Sequence, residues 1–215
     1  GFQRDIGHAL RVSQGDDVVA FINAVPAKTV TQTFQQSLRD MSPADLQVAN
    51  RQKLLALGVD SSLTESFLQN PAFNPTTQTA FLGALQALEG VKNRATFVAL
   101  AHETSTDEAD ARFCSGTAQL LAALHAGRDK LVQITTLGGL PVAIAADGRL
   151  VIALQWDTAF WSERVEQFID YAATAKLGQT GPVVIAITGS ASATTKVELA
   201  KRQIGILDHA LPGPQ

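Results

Sequence analysis

The stretch from Lys130 to Gln155, KLVQITTLGGLPVAIAADGRLVIALQ, decides the fold. Leu131-Val132-Gln133-Ile134-Thr135 is rich in β-branched residues, and Gly138-Gly139 then breaks the run. Leu140 to Ala145 and Arg149 to Gln155 flank Asp147-Gly148. An Asp-Gly pair between apolar runs is the strongest short-range hairpin signal, and it predicts a type I′ turn. Downstream the spacing predicts a helix from about Ser162 to Lys176, with Val165, Phe168, Ile169 and Ala172 on one face. Pro182 to Ile187 is an almost continuous apolar run, as in a strand buried on both faces. Ser192 can cap a helix from about Ala193 to Arg202, and Ile204 to Leu207 makes a last short strand. Strand–helix–strand units imply parallel pairing with right-handed crossovers, whereas the hairpin is antiparallel. The sheet is therefore expected to be mixed.

Upstream the punctuation is helical. Ser42-Pro43-Ala44-Asp45 reads as an N-cap, a Pro at the first helical position and an acid near the positive end of the dipole; Gly58 supplies a stop. Asn74-Pro75 repeats the start, Phe81, Leu82, Leu85 and Leu88 follow at helical spacing, and Gly90 closes the segment. Asn93 can cap a helix carrying Phe97, Leu100 and Ala101. Ser105-Thr106-Asp107-Glu108 reads as a capping box opening a helix with Phe113, Leu120, Leu121 and Leu124, ending near Gly127. Asp17 to Val25 could form a short helix ended by Pro26. These readings give an α/β (α+β) chain: a poorly defined segment 1–27, a helical region 28–105, and an α/β domain 106–215 with a small mixed sheet flanked by helices.

Composition narrows the function classes. A 46% hydrophobic share with 17% charged residues suits a globular protein with a sizeable core rather than a disordered chain. The formal charge of −3 argues against bulk electrostatic binding to nucleic acid, which needs clustered Lys and Arg. The single cysteine, Cys114, cannot close an intramolecular disulfide, and no Cys/His spacing suggests structural zinc. No apolar run approaches the roughly 18 residues of a membrane span. The chain opens on Gly1 rather than Met, as a trimmed piece would, so the compartment stays open.

From residue 106 the order helix, strand, strand, strand, helix, strand, helix, strand resembles the restriction-endonuclease-like core in its Mrr-type form, over residues 106–211. Val184-Ile185-Ala186-Ile187-Thr188-Gly189-Ser190-Ala191-Ser192, then Ala200-Lys201 and Ile204-Gly205-Ile206-Leu207-Asp208, is similar to that family's closing strand–helix–strand unit. Gly138-Gly139-Leu140-Pro141 stands where the family has a Gly-Gly-Ile-Asp turn with its metal-binding Asp, and Gln155-Trp156-Asp157 where it has Gln-x-Lys. Such nucleases need a carboxylate for Mg²⁺, a second acidic or Gln ligand, and a Lys for the charge developing at phosphorus. Here the Asp position is Pro141 and the Lys position is Asp157, while Gln155 keeps the middle one. The resemblance implies a degenerate, non-catalytic member, an interaction or scaffold module with no metal and no cofactor, whose partner could be a protein.

The alternative is a metal-dependent nuclease or phosphodiesterase with a migrated site, in which Asp147, Gln155, Asp157 and Glu108 would hold Mg²⁺. Against it, Asp147 suits a turn and Asp157 suits a helix cap or solvent. Gly189, Ser190 and Ser192 lie between a strand end and a helix start, where free amides could hold an anion, though the P-loop's second Gly and adjacent Lys are missing. His102-Glu103 with Asp107, Glu108 and Asp110 is a local cluster without zinc-pair spacing. His125 can face the negative end of its helix dipole as a cation; His8 and His209 lie near the termini. Cys114 reads as a buried small hydrophobe. Trp156, Phe160 and Trp161 could line a partner surface or pack between hairpin and helix. A ligand in the cleft between the two halves is a further option.

Overall fold

The structure, a computed structural model, describes residues 41–127 and 129–210. The helix expected over Asp17 to Val25, the rest of segment 1–27, the first part of the 28–105 region and His8 lie outside the described residues.

Capping sets the helix starts. Ser42 Oγ accepts the Asp45 N–H at 3.2 Å with Pro43 at the first position, opening α1 (Pro43–Ala56). Asp60 Oδ1 accepts the Leu63 N–H at 2.9 Å and opens α2 (Ser61–Leu68). The sequence reading passed over α2, because Ser61-Ser62-Leu63-Thr64-Glu65-Ser66 is too polar and short to display a helical period. Asn74 opens α3 (Pro75–Ala87) by accepting the Thr77 N–H at 2.9 Å. Asn93 precedes α4 (Arg94–Thr104) but makes no side-chain cap; its backbone is left-handed, φ 63°, a conformation Asn tolerates better than most residues.

The capping box sits two residues later than the sequence suggests. Ser105 is spent ending α4, with its N–H on the Ala101 carbonyl at 3.0 Å. Asp107 therefore caps α5 (Glu108–Ala126), accepting the Asp110 N–H at 3.0 Å, while Asp110 accepts the Thr106 N–H and hydroxyl at 3.0 and 3.1 Å. Of the 19 residues of α5, 12 are buried, so this helix is enclosed on most sides rather than amphipathic. Phe67, Phe73, Phe81 and Phe97 meet in the helical layer with ring centroids 4.8 to 5.8 Å apart. Each such burial is worth about 1.5–3 kcal/mol.

Beyond α5 come β1 (Leu131–Leu137), β2 (Leu140–Ala145), β3 (Leu150–Leu154), β4 (Thr158–Ala159), α6 (Glu163–Thr174), β5 (Val183–Ile187), β6 (Ser190–Ala191), α7 (Ala193–Lys201) and β7 (Gly205–Leu207). The main sheet has five strands in the order β1-β2-β3-β5-β7. β1/β2 and β2/β3 are antiparallel, β3/β5 and β5/β7 parallel, so the sheet is mixed as expected. Every residue of β2, β3 and β5 is buried, which requires cover on both faces. Two right-handed crossovers advancing in the same direction put α6 and α7 on one face, leaving α5 for the other. Lys92 runs alongside β1, donating its N–H to the Val132 carbonyl and accepting from the Ile134 N–H, both at 2.9 Å. That pairing blunts an otherwise open edge.

The two-residue turn expected at Asp147-Gly148 is found instead at Gly138-Gly139. Gly138 (φ 54°) and Gly139 (φ 86°) form the two-residue loop between the paired Leu137 and Leu140, so the two-residue, positive-φ turn is theirs. At Asp147-Gly148 the loop has three residues: the Gly148 N–H bonds the Ala145 carbonyl and the Ala145 N–H bonds the Arg149 carbonyl, each at 2.9 Å. Only Gly148 takes a positive φ, 86°. This is a type I turn closed by a glycine bulge, which spares Asp147 the left-handed conformation that a side chain penalises. One continuous buried cluster runs from Leu54 through α5 to Ile204, joining the helical layer to the sheet.

Candidate functional site

The C-terminal ends of the parallel strands are where open α/β sheets place their ligands, and here the chain leaves β3 as Gln155-Trp156-Asp157. The Trp156 carbonyl accepts the Thr188 hydroxyl at 3.1 Å and the Gly189 N–H at 2.7 Å; the Asp157 carbonyl accepts the Ser190 N–H at 3.0 Å. Ala159 continues the parallel β4/β6 pairing, its carbonyl taking the Ser192 N–H at 3.0 Å and the Thr195 hydroxyl at 2.9 Å. The approach is so close at Gly189 that a Cβ there would land on the Asp157 backbone carbonyl. His209 and Ala210 finish the enclosure by donating to the carbonyls of Gly189 and Ile187 at 2.8 and 2.9 Å.

Three positions singled out by the resemblance come to this end of the sheet. Extending the Ala143–Val151 pairing by two residues sets Pro141 beside Ala153, two residues before Gln155. Pro141 is buried within β2 and offers no ligand atom. Gln155 turns its carboxamide onto α5, donating Nε2–H to the Phe113 carbonyl at 2.8 Å and to Thr117 Oγ1 at 3.0 Å. It lies directly over Gly116, where a Cβ would collide with the carboxamide. Asp157 is exposed and does not cap the next helix; Ser162 does, accepting the Val165 N–H at 3.3 Å.

The remaining candidates disperse. Asp147 stands in the hairpin turn at the other end of β3, with the whole strand between it and Gln155. Its carboxylate receives Arg149 Nε–H at 2.6 Å and the Arg149 N–H at 3.2 Å. These two bonds hold its carboxyl below the usual value of 3.8. Glu108 is exposed at the start of α5, 3.9 Å from Arg112. Of the acids near His102, Asp107 and Asp110 are committed to the start of α5, Glu103 is exposed, and His102 Nδ1 lies 3.5 Å from Asn70 Nδ2. Among the described residues no group of three or more His, Cys, Asp and Glu stands close enough to hold a metal ion. In the loop from Thr188 to Ser192 the amides of Gly189, Ser190 and Ser192 are donated to Trp156, Asp157 and Ala159, and Ser192 Oγ accepts the Thr195 N–H at 3.2 Å. The loop is a parallel bridge, not an open nest of amides.

His125 lies in the last turn of α5, as expected, and its Nδ1 accepts the Leu131 N–H at 3.1 Å, so the ring also ties α5 to β1. Cys114 is buried, with Sγ 3.6 Å from Ser105 Oγ. The aromatic trio splits: Trp156 and Trp161 pack against the core, Arg202 lies 4.9 Å over the Trp161 ring, and Phe160 is 68% exposed.

Two charged nodes escaped the sequence reading. Asp129 is 1% exposed and receives Arg149 NH2 at 2.5 Å, so one guanidinium spans Asp129 and Asp147. These carboxylates, Asp129 first, raise the Arg149 pKa above its ordinary value. Arg202 meets Glu166 at 2.5 Å, Asp170 at 2.6 Å and Glu198 at 3.1 Å, tying α6 to the end of α7. Only the Glu198–Arg202 spacing of four was visible in the sequence; the other partners lie 32 to 36 residues away. No protein-family model matches this chain, and neither a curated protein nor a solved structure is significantly similar to it.

Proposed function

We propose that the chain is a non-catalytic interaction or scaffold module built on a restriction-endonuclease-like core that has lost its metal-binding residues. The order of elements from α5 onward and the mixed five-stranded sheet support this reading. The observation that carries it is Gln155: the one retained residue of the trio ties its amide nitrogen to the Phe113 carbonyl and Thr117 hydroxyl and lays its side chain over Gly116 of α5. Beside it Pro141 has no oxygen to offer a cation from its side chain, and Asp157 would repel a phosphate. A migrated site built on Asp147, Gln155, Asp157 and Glu108 is disfavoured, because Asp147 stands at the far end of β3 and is tied to Arg149. With a formal charge of −3, the partner class that fits best is protein rather than nucleic acid.

The test is calorimetric titration of the full chain with Mg²⁺ and Mn²⁺, alongside incubation with double- and single-stranded DNA and RNA. We expect no stoichiometric uptake and no strand cleavage. Uptake of one ion per chain that Asp157→Ala abolishes, or metal-dependent cleavage, overturns the proposal.

A further inference from the structure

We draw no further inference here: the strongest candidate, the surface patch around Phe160, exposed between Asp157 and the Arg202-covered Trp161, is a single apolar side chain on an open face, and nothing in the structure shows what covers it.

Discussion

The two ends of β3 are held by different chemistry. At its start, charge does the holding: Arg149 spans buried Asp129 and exposed Asp147, and the Gly148 carbonyl accepts the N–H groups of Thr180 and Gly181 at 3.1 and 2.9 Å. At its finish the contacts are neutral: a glutamine on a helix carbonyl, a glycine against a backbone carbonyl, and a short parallel bridge. A hydrolytic phosphate site needs convergent ionised groups around a solvent-accessible point. Here the charges around β3 gather at the end where the hairpin turns, while at its finish the contacts to β3 are uncharged and the nearest ion pair, Lys196 with Asp208, follows β7.

Breaking the charged end should have the largest effect. Arg149→Ala leaves Asp129 buried with no cation, and removing one partner of a buried pair typically costs about 3–5 kcal/mol. The lower part of that range is expected, since the Arg149 side chain is 25% exposed. Urea denaturation should show a lower midpoint with little change in slope. Asp129→Asn combined with Arg149→Met should recover much of the loss; an equal loss in the double variant would show that charge pairing is not what holds this end.

At the neutral end, Gly189→Ala sets a methyl against the Asp157 backbone carbonyl, which cannot yield as a flexible side chain would. A destabilisation of about 3 kcal/mol is expected from such overpacking. The β4/β6 amides should exchange with solvent faster while those of β2 keep their protection. Uniform acceleration throughout the sheet would mean that the two ends do not behave as separate supports.

A smaller change follows from Gln155→Leu, which removes two hydrogen bonds to α5 and keeps most of the volume. The Phe113 carbonyl retains its place in the helix ladder, so about 1–2 kcal/mol is expected. A thermal midpoint unchanged from the parent would show the carboxamide to be an incidental contact, and the proposed function would lose its main support.

Asp147→Asn should have the smallest effect at neutral pH, because its ion pair is exposed and screened. The sign of its pH dependence is nonetheless defined. Arg149 depresses the Asp147 carboxyl in the folded chain, so folding is favoured while the carboxylate is ionised. That contribution is complete above the unfolded value near 3.8 and is lost as pH falls through the lower folded value. Stability measured from pH 6 down to pH 2 should therefore fall less steeply in Asp147→Asn than in the parent; identical slopes would remove the link between Arg149 and Asp147.

Much of the fold was legible because it is written in local signals. The strand at Pro182 to Ile187 emerged as Val183–Ile187, and Ser42, Asn74 and Ser192 cap the helices they were expected to cap. Two caps were misread. Ser105 looked like a cap until the preceding helix claimed its N–H, and Asn93 takes a left-handed backbone without a side-chain cap bond. The site was less legible still: Asp147, Gln155 and Asp157 lie close in sequence, but an extended strand carries the first far from the other two.

What the sequence by itself determined is the succession of the longer elements, though not α2, β4 or β6, and the mixed character of the main sheet, since turn residues, caps and apolar periods act over a few residues. Only the tertiary structure decided that Arg149 would find Asp129, that Arg202 would gather acids from α6, and that Gln155 would face Gly116. Those contacts join residues some 20 to 40 positions apart. Their partners are selected by the packing of helices on the sheet, which no local pattern encodes.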